Sequence, residues 1–260
     1  MPTSNLAKPK VSVYIIAYNE AKKIAAAIKT VLWADEIIIV DSYSTDDTVK
    51  IATDFGAKVV QVQFNGFGDL RNQAILACQH DWIFSLDSDE RCTQEAKQEI
   101  LSIINTPNAL AAYYVPRKNI FLGRWIKRVW SYPDYRQPQL FRRGQMKYSL
   151  EQVHEGFCML NGKNSVIGHM KNAIWQIPYY NIQEMLYKAN RYSSLGAEKL
   201  FDKKIKGSVG KALGHATWVF IRLYILKLGF LDGFPGFLIA FANFEGTLYR
   251  YVKLLEKDIK

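Results

Sequence analysis

The sequence has little cysteine, and what there is follows no recognisable framework. It contains three cysteines, Cys78, Cys92 and Cys158, an odd number whose spacing matches neither a set of disulfides nor a zinc knuckle. We therefore expect reduced thiols in a cytosolic protein. No secretory signal is visible either, because the first apolar run, from Val11 to Ala17, is short and ends at Tyr18-Asn19-Glu20.

Long apolar runs, internal repeats and low-complexity tracts are also missing. No stretch reaches the roughly 18 consecutive apolar residues of a membrane-spanning helix. The nearest candidate, residues 216–244, is interrupted by Arg222, Lys227, Asp232 and Pro235. What remains is a chain of 260 residues that is 49% hydrophobic and 13% aromatic, which allows a large core and excludes wholesale disorder.

Charge is unevenly distributed along the chain. Residues 1–100 hold 10 Lys and Arg against 14 Asp and Glu, whereas residues 101–260 hold 24 against 10, and the whole chain has a net charge of +10. A basic and aromatic second part favours an anionic partner there, such as nucleic acid, a membrane surface or a phosphorylated substrate.

Strands and helices alternate over the first 105 residues. Buried strands are predicted over residues 11–17, 36–40, 58–62 and 82–86, with helices over residues 20–32, 48–55, 66–78 and 93–104. This alternation predicts right-handed βαβ units and a parallel sheet, whose ligands bind beyond the carboxyl ends of the strands. We therefore expect three polar strand ends to converge: Tyr18-Asn19-Glu20, Asp41-Ser42 and Asp87-Ser88-Asp89.

The pattern changes after Asn105. Short strands are predicted over residues 113–115 and 139–141, and helices over residues 182–200, 209–228 and 237–255. The predicted class is α/β, with a Rossmann-like, mostly parallel sheet flanked by helices and a C-terminal helical extension. The predicted organisation is a tail (residues 1–9), a catalytic domain (10–178, with halves 10–105 and 106–178) and a helical, membrane-associating region (179–260).

The segment Asp87-Ser88-Asp89 carries the clearest chemistry. Residues i and i+2 of an extended chain point the same way, so Asp87 and Asp89 present two carboxylates on one side. Such oxygen ligands suit Mg²⁺ or Mn²⁺, with substrate phosphates completing the shell. The alternative is a capped turn leading into the helix that begins near Thr93. Glu90 follows directly. Because three carboxylates so close together repel one another, we expect a group beside them that compensates their charge.

Two further residues suggest a nucleotide site. Asp41 comes too early to cap the next helix, and a carboxylate there can accept a hydrogen bond from a ribose hydroxyl or a base. Arg71 lies near the start of the helix after Gly66-Phe67-Gly68, where it can pair with a phosphate or with Asp87, or lie on a solvated helix face.

Together these segments resemble a known family. Four landmarks are similar to those of family-2 inverting glycosyltransferases of the GT-A fold: Ile15–Glu20, Ile38–Ser42 with Ser44–Asp46, Arg71-Asn72 and Asp87–Asp89. The later segments resemble the bacterial lipopolysaccharide-core β-1,4-glucosyltransferase subfamily: Trp33–Glu36, Gly66–Gly68, Tyr132–Tyr135, Leu140–Arg143, Val153–Glu155, Asn190–Ser193 and Gly229–Gly233. One stretch departs from it, since such enzymes often carry His-Gly-Gly-Trp where this chain has Arg128-Val-Trp-Ser131, near the expected acceptor.

The resemblance implies a role for each landmark. Ala17, Tyr18 and Glu20 would border the nucleotide, and Asp41 would contact uracil or ribose. The remaining implied contacts are Arg71 near the base and phosphates, Asp87 on the donor and the metal, and Asp89 on the metal.

The implied activity is the metal-dependent, inverting transfer of a hexose from a UDP-sugar, with glucose as the first candidate for the hexose. The implied acceptor is the lipopolysaccharide inner core or a similar lipid-linked saccharide. The expected cofactor is Mg²⁺ or Mn²⁺. An acceptor hydroxyl needs a general base, for which we favour Glu155, with Asp134 second and Glu151 a further candidate. His154 is a candidate metal or phosphate contact, or a structural histidine.

Two other hypotheses about the function stay open at this point. One is an enzyme that loads a sugar onto polyprenyl phosphate, which would share the first half of the chain. The other, of a different class, is a non-catalytic basic module that binds a membrane or nucleic acid. The preferred reading needs no nucleic acid beyond the nucleotide donor.

The basic second part predicts a location. Basic residues of the segment 117–128 alternate with Phe121, Trp125 and Trp130, and a lysine-rich run over residues 199–211 leads into the aromatic helix around Trp218. Basic residues beside an amphipathic aromatic helix suit an anionic membrane surface. We expect a cytoplasmic protein, peripheral on the inner face of a bacterial inner membrane, unless those aromatic residues pack within the protein.

Overall fold

The computed structural model describes residues 9–150, 156–160 and 166–259, and the chain divides into two compact units. The first unit comprises residues up to 117 together with 133–176, and the second comprises 118–132 together with 177–260. The strands are β1 (Val11–Ala17), β2 (Glu36–Asp41), β3 (Lys58–Gln61), β4 (Trp82–Asp87), β5 (Glu90–Arg91), β6 (Ala112–Tyr114), β7 (Arg117–Phe121), β8 (Arg124–Ile126), β9 (Pro138–Arg142), β10 (Met146–Tyr148), β11 (Phe157–Met159), β12 (Gly168–His169) and β13 (Ile174–Gln176). The α-helices are α1 (Ala21–Lys29), α2 (Thr48–Asp54), α3 (Phe67–Ala77), α4 (Gln94–Ile104), α5 (Ile182–Asp202), α6 (Val209–Phe220) and α7 (Gly233–Ile259).

A seven-stranded sheet forms the centre of the first unit. Its strand order is β12-β6-β9-β4-β1-β2-β3. The four strands predicted from the alternating pattern pair in parallel around β1, whereas β9 runs antiparallel to both β4 and β6. The expected α/β class with a mostly parallel sheet is confirmed.

Both faces of this sheet are buried, as the apolar runs of its central strands require. Successive side chains of a strand point to opposite faces. Val13 and Ile15 therefore pack with α1 and α4 on one face, while Tyr14 and Ile16 pack with α3 on the other. In α1 the core side chains are Ile24, Ala27 and Ile28, at helical spacing.

Two cysteines belong to this interior. Cys78 and Cys92 are buried and Cys158 is exposed, and all three are free thiols. Burial raises the pKa of Cys78 and of Cys92 to about 12, so both stay protonated at neutral pH.

The second unit contains the β7–β8 hairpin from Lys118 onward and the last three helices. The predicted helix over residues 209–228 is not regular, because α6 ends at Phe220 and continues as a π-helix over Ile221–Leu226. A short 3₁₀ turn, Gly229–Asp232, then leads into α7, which begins at Gly233 rather than at 237.

The motif Gly229-Phe-Leu-Asp-Gly233 shapes that junction. A Cβ at Gly229 would lie 2.5 Å from the carbonyl oxygen of Leu223, so only glycine fits. The buried Asp232 carboxylate accepts three backbone N–H bonds, at 3.0 Å from Lys127 and 2.9 Å each from Arg128 and Val129. Asp232 therefore fixes the segment that follows β8 onto the helical part of the same unit.

Among the described residues, no single helix is long and apolar enough to cross a membrane. The segments Val209–Leu226 and Gly229–Lys257, bent by 69° at their break, are long and apolar enough only when taken together.

Candidate active site

The carboxyl ends of three neighbouring strands lie side by side. Ala17, the last residue of β1, is in register with Asp41 of β2, and Ile16 is in register with Asp87 of β4. The polar segments that follow these strands are far apart in sequence, yet the sheet brings them to one edge. Such an edge is where open α/β sheets bind their ligands.

The loop after β1 is held by the loop after β2. Asn19, in a left-handed conformation (φ 54°), accepts a hydrogen bond from the Thr45 N–H at 2.8 Å and donates its own N–H to the Ser44 hydroxyl at 2.8 Å. The N–H of Glu20 donates to the Thr48 hydroxyl at 2.8 Å. The Tyr18 side chain, 59% exposed, is thus presented from a fixed loop.

Asp41 is fully buried at the end of β2. One of its carboxylate oxygens accepts the Ser44 N–H at 2.8 Å and the other accepts the Ser44 hydroxyl. The carboxylate thus shapes its own loop. Its contact with uracil or ribose stays a prediction. The adjacent Ser42 hydroxyl is buried and has no hydrogen-bond partner within the described residues.

Arg71 and Asp87 form an ion pair. Helix α3 places the buried Arg71 so that its guanidinium lies 2.9 Å from an Asp87 carboxylate oxygen and 3.3 Å from the Ser85 hydroxyl. Burial alone would raise the pKa of Asp87, but Arg71, with Arg117 and Arg136, lowers it below its usual value. The Asp87 carboxylate is therefore ionised at neutral pH.

A pair of buried tyrosines backs this ion pair, and sequence reasoning missed it. The hydroxyls of Tyr14 and Tyr148 lie 3.3 Å apart, and the Arg71 guanidinium lies 5.6 Å from the centre of the Tyr148 ring. Burial raises the pKa of both hydroxyls, so both remain neutral beside the guanidinium. Asn72 exchanges two hydrogen bonds with the Tyr148 backbone, at 2.9 and 3.0 Å, and fixes β10 against α3.

Glu90 explains how the crowded carboxylates coexist. It is fully buried, and its carboxylate accepts hydrogen bonds from Arg117 Nε at 2.6 Å, from Gln139 at 2.8 Å and from the Asp87 N–H at 2.9 Å. One negative charge of the cluster is thus neutralised inside the protein. No local pattern in the sequence points to Arg117 in this role, because it lies 27 residues downstream of Glu90.

Asp89 follows in a turn rather than in an extended chain. Residues 88–89 form a turn between β4 and β5, so the expectation of a strand-like alternation across Asp87 and Asp89 is corrected. Because β13 pairs antiparallel with β5, Gln176 lies opposite Glu90 and its amide approaches the Asp89 carboxylate at 3.3 Å. Asp87 directly precedes this turn and Asp89 lies within it.

Asp134 joins the same network. Asp134 has a left-handed backbone conformation (φ 48°), and its backbone carbonyl oxygen accepts a hydrogen bond from the Arg117 guanidinium at 3.2 Å. Its carboxylate pairs with Arg136 at 2.9 Å. Arg117 thereby connects the second candidate base to Glu90.

The other candidate residues, Glu151, His154 and Glu155, lie outside the described residues. The residues that flank them are described: Ser149 and Gly156 exchange two hydrogen bonds of 2.9 Å each. Any side chain at Gly68, at the start of α3, would clash with the Ser149 carbonyl group. Within the described ranges, no group of three or more His, Cys, Asp or Glu side chains is arranged to hold a metal ion.

Comparisons with known proteins cover most of this chain. A model of the family "Glycosyl transferase family 2" matches residues 12–167. An uncharacterized glycosyltransferase of Rickettsia typhi is 30% identical over 96% of this chain and 88% of its own. The lipopolysaccharide core biosynthesis glycosyltransferase LpsC of Rhizobium meliloti is 24% identical over 94% of this chain and 90% of its own. Residues 1–349 of Staphylococcus aureus TarS share the fold, with a TM-score of 0.50 and 16% identity over 96% of this chain and 92% of the other.

Proposed function

This chain belongs to glycosyl transferase family 2, and we propose that it transfers a hexose from a UDP-sugar with inversion. Glucose is the first candidate for the hexose, and the acceptor is the lipopolysaccharide inner core or a similar lipid-linked saccharide. The observation that carries the proposal is the meeting of Asp41, Asp87 and Asp89 at one edge of the sheet. The similarity to LpsC supports this class of acceptor.

Asp87 and Asp89 are the residues that would hold a divalent cation, Mg²⁺ or Mn²⁺. Two carboxylates, one of them kept ionised by Arg71, are the hard oxygen donors that these ions prefer. His154 and the donor phosphates would complete the set. A cation bound there neutralises the charge that develops on the leaving diphosphate.

The protein's own residues orient the donor. Arg71 fixes the Asp87 carboxylate and contributes positive charge beside the diphosphate. The fixed loop bearing Ala17, Tyr18 and Glu20 borders the nucleotide, and Asp41 keeps the neighbouring loop in shape.

The acceptor hydroxyl must lose its proton as it attacks the sugar in line. We assign the general base to Glu155 and keep Asp134 as the second candidate. The ion pair of Asp134 with Arg136 favours this order, because that carboxylate is already engaged by a guanidinium.

The second unit supports a peripheral membrane location on the inner face of the bacterial inner membrane. Phe220 and Tyr224 pack against the core of that unit. Many apolar side chains near the bend between the last two helices are instead exposed: Trp218, Ile221, Ile225, Leu226, Phe230, Leu231 and Phe234. Exposed apolar residues in a strongly basic unit suit an anionic lipid surface, which is where a lipid-linked acceptor would be found.

The activity is tested with a panel of nucleotide-sugars and Mn²⁺ or Mg²⁺, measuring the nucleoside diphosphate released. We expect release from one donor, its loss with chelator, and a loss of about 10²-fold or more in Asp89→Asn. The matched control is Asp54→Asn, since Asp54 is exposed on α2. If none of the donors in the panel binds or is turned over, the proposal is refuted.

The location is tested separately by flotation with vesicles of anionic or neutral lipid. We expect binding to anionic vesicles that weakens with salt, and weaker binding in Phe234→Ser. Absence of binding at low salt would refute the peripheral location and leave the transferase proposal intact.

A further inference from the structure

A polar cleft lies within the second unit, between α5 and α7. Its volume is about 120 Å³, and its polar lining comes from Tyr192, Ser193, Asn243, Thr247 and Arg250. Every residue that lines it belongs to the second unit.

Arg250 is unusual among the cations of this unit. Its Nε is buried and has no hydrogen-bond partner within the described part of the chain. No ion pair involves it there. The side chain lies over Gly196 of α5, where an added Cβ would come within 2.6 Å of Arg250 Nε. A partly buried guanidinium without a partner is costly, because charged groups inside a protein require compensation by hydrogen bonds or an opposite charge.

Lys253, one turn further along α7, adds a second positive charge. Its ammonium group donates to the Asn190 carbonyl, the Asn190 side chain and the hydroxyls of Ser193 and Ser194, at 2.7 to 3.0 Å. All of these partners are neutral. The ammonium thus holds the segment Asn190–Ser193 in place without being neutralised.

We propose that this cleft binds an oxyanion of the phosphate class, with the Arg250 guanidinium as its principal ligand. The planar guanidinium donates parallel hydrogen bonds to phosphate oxygens, and the charge of Lys253 favours the anion. This gives the segment Asn190–Ser193 a purpose that the transferase chemistry leaves open. The phosphate could belong to a lipid headgroup or to a soluble phosphate compound, and the experiment separates the two.

The first measurement is calorimetric titration with inorganic phosphate at constant ionic strength. We expect the wild-type chain to bind phosphate and Arg250→Gln to bind about tenfold or more weakly, since one charge-assisted contact is lost. The matched control is Lys199→Gln, because Lys199 is exposed on α5 outside the cleft lining and the charge change is the same. Arg250→Lys retains the charge but loses the parallel N–H donors of the guanidinium, and we expect its affinity for phosphate to be intermediate. This variant replaces Arg250→Gln in the test if the glutamine variant does not fold.

The second measurement assigns the source of the phosphate. If Arg250→Gln loses both phosphate binding and flotation with phosphatidylglycerol vesicles, the site takes a lipid headgroup. If it loses only phosphate binding, the site takes a soluble phosphate compound. The proposal is overturned if the wild type does not bind phosphate, or if binding to Lys199→Gln is weakened as much as binding to Arg250→Gln. Neither assay contains donor or acceptor, so this result is independent of glycosyl transfer.

Discussion

The two units differ in how they carry charge. The first unit has 17 Lys and Arg and 17 Asp and Glu, whereas the second has 17 and 7, so the whole net charge of +10 resides in the second. A division at residue 100 obscures this, because part of the basic sequence after that point belongs to the first unit and balances its carboxylates.

The balance has a structural meaning. In the first unit the cations of the site are paired with carboxylates: Arg71 with Asp87, Arg117 with Glu90 and Arg136 with Asp134. Arg250 and Lys253 of the second unit have no such carboxylate partner within the described residues. The paired charges of the first unit hold the side chains of the site in fixed positions. The unpaired positive charges of the second unit attract an anionic partner.

The sharpest test of the chemical role of the first unit is Glu155→Gln. We expect turnover to fall by about 10²–10⁴-fold, because a general base is removed, while donor binding stays intact. Nucleoside diphosphate release and donor titration measure the two quantities separately. Near-normal turnover would instead move the base to Asp134, to be checked with Asp134→Asn.

The next test breaks a charge pair that is buried inside the first unit. Glu90→Gln leaves the Arg117 guanidinium, 3% exposed, without its carboxylate, and we expect the free energy of unfolding to fall by about 3–5 kcal/mol. Denaturant unfolding measures it. Glu95→Gln, at an exposed position of α4, is the control and should change stability little. Equal stability of the two variants would show that balanced charge in this unit is incidental.

A third test uses pH to ask whether Arg71 keeps Asp87 ionised. Burial favours the protonated carboxyl and Arg71 opposes it, so Arg71→Gln raises the pKa of Asp87. Because a carboxylate with a lowered pKa stabilises the fold at neutral pH and loses that effect on acidification, the acid-side loss of stability should begin at higher pH in the variant. The acid limb of kcat/KM should move the same way. Lys50→Gln, an exposed change of equal charge, should leave both profiles unmoved.

Much of the first unit was predictable from sequence because its signals are local. The apolar runs of β1, β2 and β4, the helix periodicity and the polar residues at the strand ends all follow from neighbouring positions. The resemblance to a glycosyltransferase family was confirmed by the family match. The partners of Glu90 and the Tyr14–Tyr148 pair were not predictable, because hydrogen bonds across 27 and 134 residues leave no periodic trace.

In the second unit the sequence predicted helices but not their breaks. The apolar pattern continues through residues 221–228, so nothing in it marks the change from α-helix to π-helix at Ile221. The sharp turn that follows depends on close packing around Gly229 and on the hydrogen bonds of Asp232, which are tertiary features.

The smallest effect we expect is that of Asp232→Asn, which asks whether one carboxylate organises part of the basic unit. Asparagine keeps the shape of the side chain and one acceptor oxygen, but it loses the charge and the second oxygen that serve the N–H groups of Lys127, Arg128 and Val129. We expect a loss of about 1–3 kcal/mol in the free energy of unfolding, the cost of leaving buried N–H donors unsatisfied. Asp202→Asn, at the exposed end of α5, is the control. Because the change also makes the unit more positive, anionic vesicle binding should be kept or strengthened. A variant that is stable but no longer binds vesicles would show that Asp232 positions the lipid-binding surface rather than the fold.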